Sequence, residues 1–153
     1  MRGLADVPAS AAASLGVPGF TDTLGLGDAQ HAVIILIDGL GWNALQAHEH
    51  LAPFLTSDQH TSSEISTVFP LTTPAGLGTV GTGLLPGAHG MVGASFWLPE
   101  AEEILTPLHW NDGVTPLAVQ PEPTVFERAV QHGIDVTTVA PGAYSDSGLT
   151  RAV

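Results

Sequence analysis

The apolar positions of this chain fall into a few short runs separated by glycine and proline. Residues 32–37, Ala-Val-Ile-Ile-Leu-Ile, form an unbroken, largely β-branched run that stops at Asp38-Gly39. A run with no polar alternation fits a strand buried on both faces, the pattern of a central parallel strand. The stretch Gly-Trp-Asn-Ala-Leu-Gln-Ala over 41–47 reads as a helix start. Alternation predicts a second strand over 62–68, closed by Phe69-Pro70, and then a helix from about Pro74 to Thr82. Residues 84–90 read as a turn-rich loop, and 91–98 with 103–108 as the arms of a small hairpin. Thr124-Val-Phe-Glu127 is a capping box opening a helix to about His132, with Gly133 in the C′ position. Residues 135–140 form a further β-branched strand. Strand alternating with helix in this way indicates an α/β fold with a mainly parallel central sheet and right-handed crossovers. Residues 1–30, rich in small residues with Pro8 and Pro18, read as a lead-in lying on the surface of a domain that occupies 31–153. The stretch 145–153 opens another helix and no further element closes the domain, so the expectation is the N-terminal part of a longer protein.

One segment stands apart within this pattern. Residues 66–93 carry seven glycines, three prolines and no charged residue, yet they keep several hydroxyls and one histidine, His89. Such a composition suits a buried turn where backbone must approach something closely. Thr73 followed by Pro74 reads as an N-cap with proline in the first helical position. A hydroxyl there faces unpaired N–H groups and the positive end of the helix dipole, where an anion such as phosphate is favoured. Gly76, Gly78 and Gly81 make the helix poor by propensity, so tight packing against the sheet would have to compensate. In open α/β sheets ligands collect at the carboxyl ends of strands, which is where Asp38 falls. Taken alone, Asp38-Gly39 reads more readily as a simple turn pair.

Composition narrows the partners. The chain has 153 residues, enough for one domain with a real core, and only 12% are charged. Fifteen acids against three arginines and no lysine give a formal charge of −12. That balance argues against a nucleic acid duplex or an anionic membrane as partner. An anionic substrate would also be repelled unless a metal cation inverts the local field. With no cysteine there is neither a disulfide framework nor a thiolate site. No signal peptide or membrane-spanning stretch is evident, and a cytoplasmic protein is the default expectation.

The blocks Val33-Ile-Ile-Leu-Ile-Asp-Gly-Leu-Gly-Trp42, Phe69-Pro-Leu-Thr-Thr73, Gly81-Thr-Gly83 and Pro86-Gly-Ala-His-Gly90, in this order and spacing, resemble the type I phosphodiesterase/nucleotide pyrophosphatase family of the alkaline phosphatase superfamily. The similarity runs from about residue 30 to the end, where Ser147-Gly-Leu-Thr-Arg-Ala152 resembles the bacterial members. The resemblance implies an alkaline phosphatase-like α/β sandwich and a site with two divalent metal ions, usually Zn2+. Asp38 would be a metal-ligand aspartate. Thr73 would be the nucleophile, bound through its oxygen to the same metal, which answers both the weak acidity of a threonine hydroxyl and the charge problem. The substrate would be a small phosphate ester, a phosphodiester or nucleotide pyrophosphate.

Two departures from the family pattern stand out. The nucleotide pyrophosphatases carry asparagine three residues after the nucleophile, and this chain has Gly76, so a backbone N–H would have to take over that contact. The family's remaining ligands, further aspartates and histidines, lie C-terminal to the residues matched here. The 153-residue chain is therefore expected to be inactive without the C-terminal half of the catalytic domain. The competing readings are a non-catalytic α/β binding module and hydrolysis of phosphonate, sulfate or phosphomonoester substrates on the same scaffold. His89 is expected to be a hydrogen-bonded structural histidine. His31, His48, His50, His60, His109 and His132 read as surface residues, Glu100, Glu102 and Glu103 as a solvated hairpin tip, and Trp42, Trp97 and Trp110 as core or rim packing. Asp146 is explained equally by turn chemistry and by proximity to a site.

Overall fold

The computed structural model describes residues 2–57 and 63–153. His60, and the start of the strand expected over 62–68, lie outside the described residues. In chain order the elements are helices α1 (Asp6–Ser14), α2 (Trp42–Ala47), α3 (Thr73–Thr82) and α4 (Pro86–His89), strands β1 (Phe96–Leu98) and β2 (Glu103–Leu105), and helices α5 (Pro116–Val119), α6 (Val125–Gln131) and α7 (Gly148–Ala152). Short 3-10 turns cover Glu49–Leu51, Pro107–His109 and Gly142–Tyr144.

Helix α3 lies against α1, α4 and α6. Two of its three glycines are offset by packing, but the packing partners are the His89 ring and Val153 rather than the sheet expected from the sequence. At Gly78 a Cβ would fall 2.6 Å from Cε1 of His89, and at Gly81 it would fall 2.7 Å from the Val153 carbonyl carbon. These absent side chains allow the close contact that compensates for low helix propensity. The helix ends at Gly83, whose φ of 70° is left-handed and whose N–H bonds back to the Thr79 carbonyl at 2.8 Å.

The residues of the lead-in are part of this packing. Helix α1 rests on α3 and α6, and its Ala12, together with Val17, Val125 and Ala129, forms one apolar cluster. The second cluster joins Met91, Leu98, Leu105, Val114, Val119, Leu149 and Ala152, with Trp110 packed at its edge. The expected hairpin is present in shorter form, β1 pairing antiparallel with β2 from Phe96↔Leu105 to Leu98↔Glu103. Glu102 turns its corner with φ 52°. The capping box is complete: Thr124 Oγ1 accepts from the Glu127 N–H at 3.0 Å, and Glu127 Oε2 accepts from the Thr124 N–H at 2.8 Å. The stretch 84–90 is helical over α4 rather than a simple loop, because Pro86 supplies a preset φ at the first position and Gly90, at φ 84°, ends the turn.

The expected strands over 32–37 and 135–140, and the described part of 62–68, are not strands here. Among the described residues 32–37 have no backbone hydrogen-bond partner, and the one parallel bridge joins Ser66 to Gly3. An extended run becomes a strand only by pairing with a neighbour, and the apolar faces here are correspondingly open, with Val33 84% and Ile35 79% exposed. The sheet described is the two-stranded antiparallel β1–β2 pair, so a mainly parallel sheet is not seen. No helix among the described residues is long and apolar enough to cross a membrane.

Replacing Thr124 by Ala removes the hydroxyl half of the capping box and should lower stability by about 1 kcal/mol. A urea melt of the two proteins, with equal slopes and a lower midpoint for the variant, is the check.

Candidate active site

Thr72, not Thr73, occupies the N-cap of α3, with extended φ −134° and ψ 150°. Thr73 is the first helical residue and Pro74 the second, one position later than the sequence suggests. The shift has a chemical consequence. A capping hydroxyl turns back onto its own helix, whereas the Thr73 hydroxyl is free to point outward. It donates to Asp38 Oδ2 at 2.9 Å, across 35 residues of chain. The structure thus brings together the residue at the end of the apolar run 32–37 and the residue at the start of α3. Both are accessible to solvent, Asp38 more than Thr73.

The backbone around this pair is sparsely satisfied. Pro74 has no N–H, and the Gly76 N–H closes onto the Thr72 carbonyl at 2.9 Å. The N–H groups of Thr73 and Ala75 have no partner among the described residues, as expected for a helix's first turn. Thr72 Oγ1 is buried and also without a partner. Gly76 faces open space, so nothing in the packing demands glycine there. The first turn therefore offers two backbone N–H donors and the Thr72 O–H to an anion, and no side-chain amide.

His89 lies one layer behind. It is fully buried, Nε2 lies 3.0 Å from Thr79 Oγ1, and Nδ1 accepts from the Met91 N–H at 3.1 Å. Burial lowers its pKa below the ordinary histidine value, against smaller opposing effects from its own backbone and that of Ala75. It is the hydrogen-bonded histidine expected from the sequence. Its partner, Thr79, was not legible there, since neither Thr79 nor His89 belongs to a recognisable pair.

The other candidates sit elsewhere. His31, His48, His50, His109 and His132 are exposed, and the His48 and His50 rings meet edge-on at 6.3 Å between centroids. Trp110 packs at the core edge and donates Nε1–H to the Val114 carbonyl, while Trp97 is exposed. Asp146 faces Arg151 at 3.9 Å in a recess of about 340 Å³ with Trp110 and Asp112, whose lining includes neither Asp38 nor Thr73.

The sequence blocks that carry Asp38 and Thr73 also place the chain among known proteins. It belongs to the family of type I phosphodiesterases and nucleotide pyrophosphatases, matching it over residues 32–149 of 153. Membership implies an alkaline phosphatase-like α/β fold and a hydrolytic enzyme class. No curated protein and no solved structure matches the chain. The family is typically metal-dependent. A carboxylate and an alcohol oxygen 2.9 Å apart suit two ligand positions around one divalent ion. Among the described residues no group of three or more His, Asp or Glu forms a metal cluster, so the pair fits part of one ion's ligand set and does not by itself fit a two-ion centre.

A Gly78→Ala substitution forces a methyl into the His89 ring and should cost about 1–3 kcal/mol. Gly76→Ala, with open space at its Cβ, should be neutral or slightly stabilising. Comparing the denaturation midpoints of the two variants separates close packing from helix propensity.

Proposed function

We propose that this chain supplies the nucleophile half of a metal-dependent hydrolase acting on phosphodiesters or nucleotide pyrophosphates, with Thr73 as nucleophile and Asp38 as a metal ligand. The observation that carries the reading is the hydrogen bond from Thr73 Oγ1 to Asp38 Oδ2 at the N-terminus of α3. Thr73 Oγ attacks phosphorus as its proton passes to water, the P–O bond to the leaving group breaks and that oxygen takes a proton from water, and water then hydrolyses the phosphothreonine ester to restore the threonine hydroxyl. Asp38 orients the hydroxyl. The N–H groups of Thr73 and Ala75, without partners among the described residues, are the donors that would meet a phosphoryl oxygen as it gains charge. A divalent ion held by Asp38 and Thr73, zinc by family resemblance, would lower the alcohol's pKa and neutralise the phosphoryl oxygens.

The substrate class follows from the charges present. Arg128 stacks on Phe20, Arg151 faces Asp146, and Arg2 lines a recess beside Leu85. Among the described residues no arginine is placed to grip an extra phosphate charge beside Thr73, and Gly76 contributes no side chain. Both features support a monoanionic diester over a dianionic monoester. The exposed, unpaired runs over 32–37 and 135–140 support a reading in which they are strands of the family's parallel sheet. Their neighbours, and the remaining metal ligands, would then come from the C-terminal half of the catalytic domain.

In a protein carrying the full ligand set, Thr73→Ala should abolish hydrolysis of bis(p-nitrophenyl) phosphate while retaining metal, and Asp38→Ala should lower both metal content and rate. Unchanged turnover by Thr73→Ala overturns the nucleophile assignment. The 153-residue chain alone should hold less than one zinc per molecule after gel filtration. Two tightly held ions would refute the half-site reading.

A further inference from the structure

We propose that His89 is a positioning residue which, locked in one tautomer, clamps the first turns of α3 and so sets where Thr73 meets Asp38. The value of that placement rests on Thr73 being the reacting residue, but the clamp itself does not.

The tautomer follows from hydrogen-bond directions. The Met91 N–H donates to Nδ1, so that nitrogen carries no proton, and the ring proton sits on Nε2. Nε2–H therefore donates to Thr79 Oγ1 at 3.0 Å. The ring also crowds Gly78, where any Cβ would meet three of its atoms within 3.2 Å, and the Ala75 backbone acts on its pKa. One imidazole thus touches α3 at Gly78 and Thr79. Ala75 is two residues from Thr73 in the same turn, and a helix of ten residues transmits its placement as a rigid body. The Met91 bond ties the other side of the ring to the larger apolar cluster, of which Met91 is a fully buried member. His89 is accordingly the polar link between the core and the helix that presents Thr73.

A protonated ring cannot make this link, because Nδ1–H would face the Met91 N–H, donor against donor. Among the described residues no ionised group is paired with the ring, and Arg151 of α7, close in sequence to the Val153 that packs on α3, faces Asp146. The segment 66–93 has no charged residue. On the elements packed against α3, Asp6 accepts from the Gly3 N–H, Glu127 caps Thr124 and Arg128 stacks on Phe20. Burial is the leading influence on the ring and disfavours the cation. Its folded-state pKa lies below the ordinary value of about 6.5, so the stabilisation is fully present above that pH. It is lost as pH falls through the window between the ordinary and the lowered value.

The test uses the 153-residue chain and needs no turnover. Nitrogen-15 NMR of the histidine ring should show a bare Nδ1 and a protonated Nε2 at neutral pH. An Nδ1–H tautomer overturns the proposal. His89→Gln places an amide N–H near the Nε2 position, whereas His89→Asn keeps only an acceptor near Nδ1. His89→Asn should speed amide exchange at Gly76 about tenfold and shift the Thr73 resonances, while the Glu127 amide of the capping box stays protected. His89→Gln should restore most of the Gly76 protection. Unmoved Gly76 and Thr73 signals in His89→Asn, or equal loosening at Gly76 and Glu127, would show a role in general stability only and overturn the proposal. Should His89→Asn fail to fold, Thr79→Val severs the same link from the other side and should give the same Gly76 and Thr73 changes. In the wild-type chain those changes should also appear on acidification below about pH 6.5, and in His89→Gln that acid step should be absent.

Discussion

The described structure depends on the close approach between the His89 ring and the backbone of α3. Three glycines in a ten-residue helix cost roughly 1 kcal/mol each against alanine. Two of them are the places where the helix is pressed, Gly78 by the imidazole and Gly81 by Val153. Removing side chains lets the backbone come near enough for the Thr79–His89 bond, and α1, α4 and α6 gather around the same helix. Gly76 is different. It faces open space and lies beside the unpaired donors of the first turn, so its missing side chain leaves room near Thr73 rather than tightening the packing.

Charge gives the site its character. A chain of formal charge −12 is a poor host for a phosphate ester unless something positive sits between them. The arginines are engaged elsewhere, and the helix N-terminus offers only partial charges from its N–H groups. An oxygen pair such as Asp38 and Thr73 is suited to recruiting that positive charge as a cation. In solvent the bond between them has little energetic weight of its own, and its significance is geometric. It shows that the apolar run and the helix start converge on one point.

Much of the local structure was legible because it rests on short-range rules. The capping box at Thr124 and Glu127, the stop at Gly133, the hairpin between Phe96 and Leu105 and the helix after Gly41 each need only neighbours within a few residues. The start of α3 was legible to within one residue. That residue mattered, since moving the cap to Thr72 is what frees the Thr73 hydroxyl. The parallel strands expected from the sequence are the part not seen among the described residues. An apolar run over 32–37 declares that it can be buried in a sheet but does not carry its partner, and here its backbone is unpaired and its side chains are open to solvent.

By itself, the sequence determined the family, through blocks whose residue types and order are local properties of the chain, and it singled out Asp38 and Thr73 within them. It also determined the anionic character, a formal charge of −12. Only the tertiary structure decided that the two residues touch, that Gly78 is vacant for the sake of His89, and that the Met91 N–H points at Nδ1 of that ring. Each of these joins residues that lie on different elements or depends on which way a hydrogen bond points. Such relations arise only when the chain has folded back on itself.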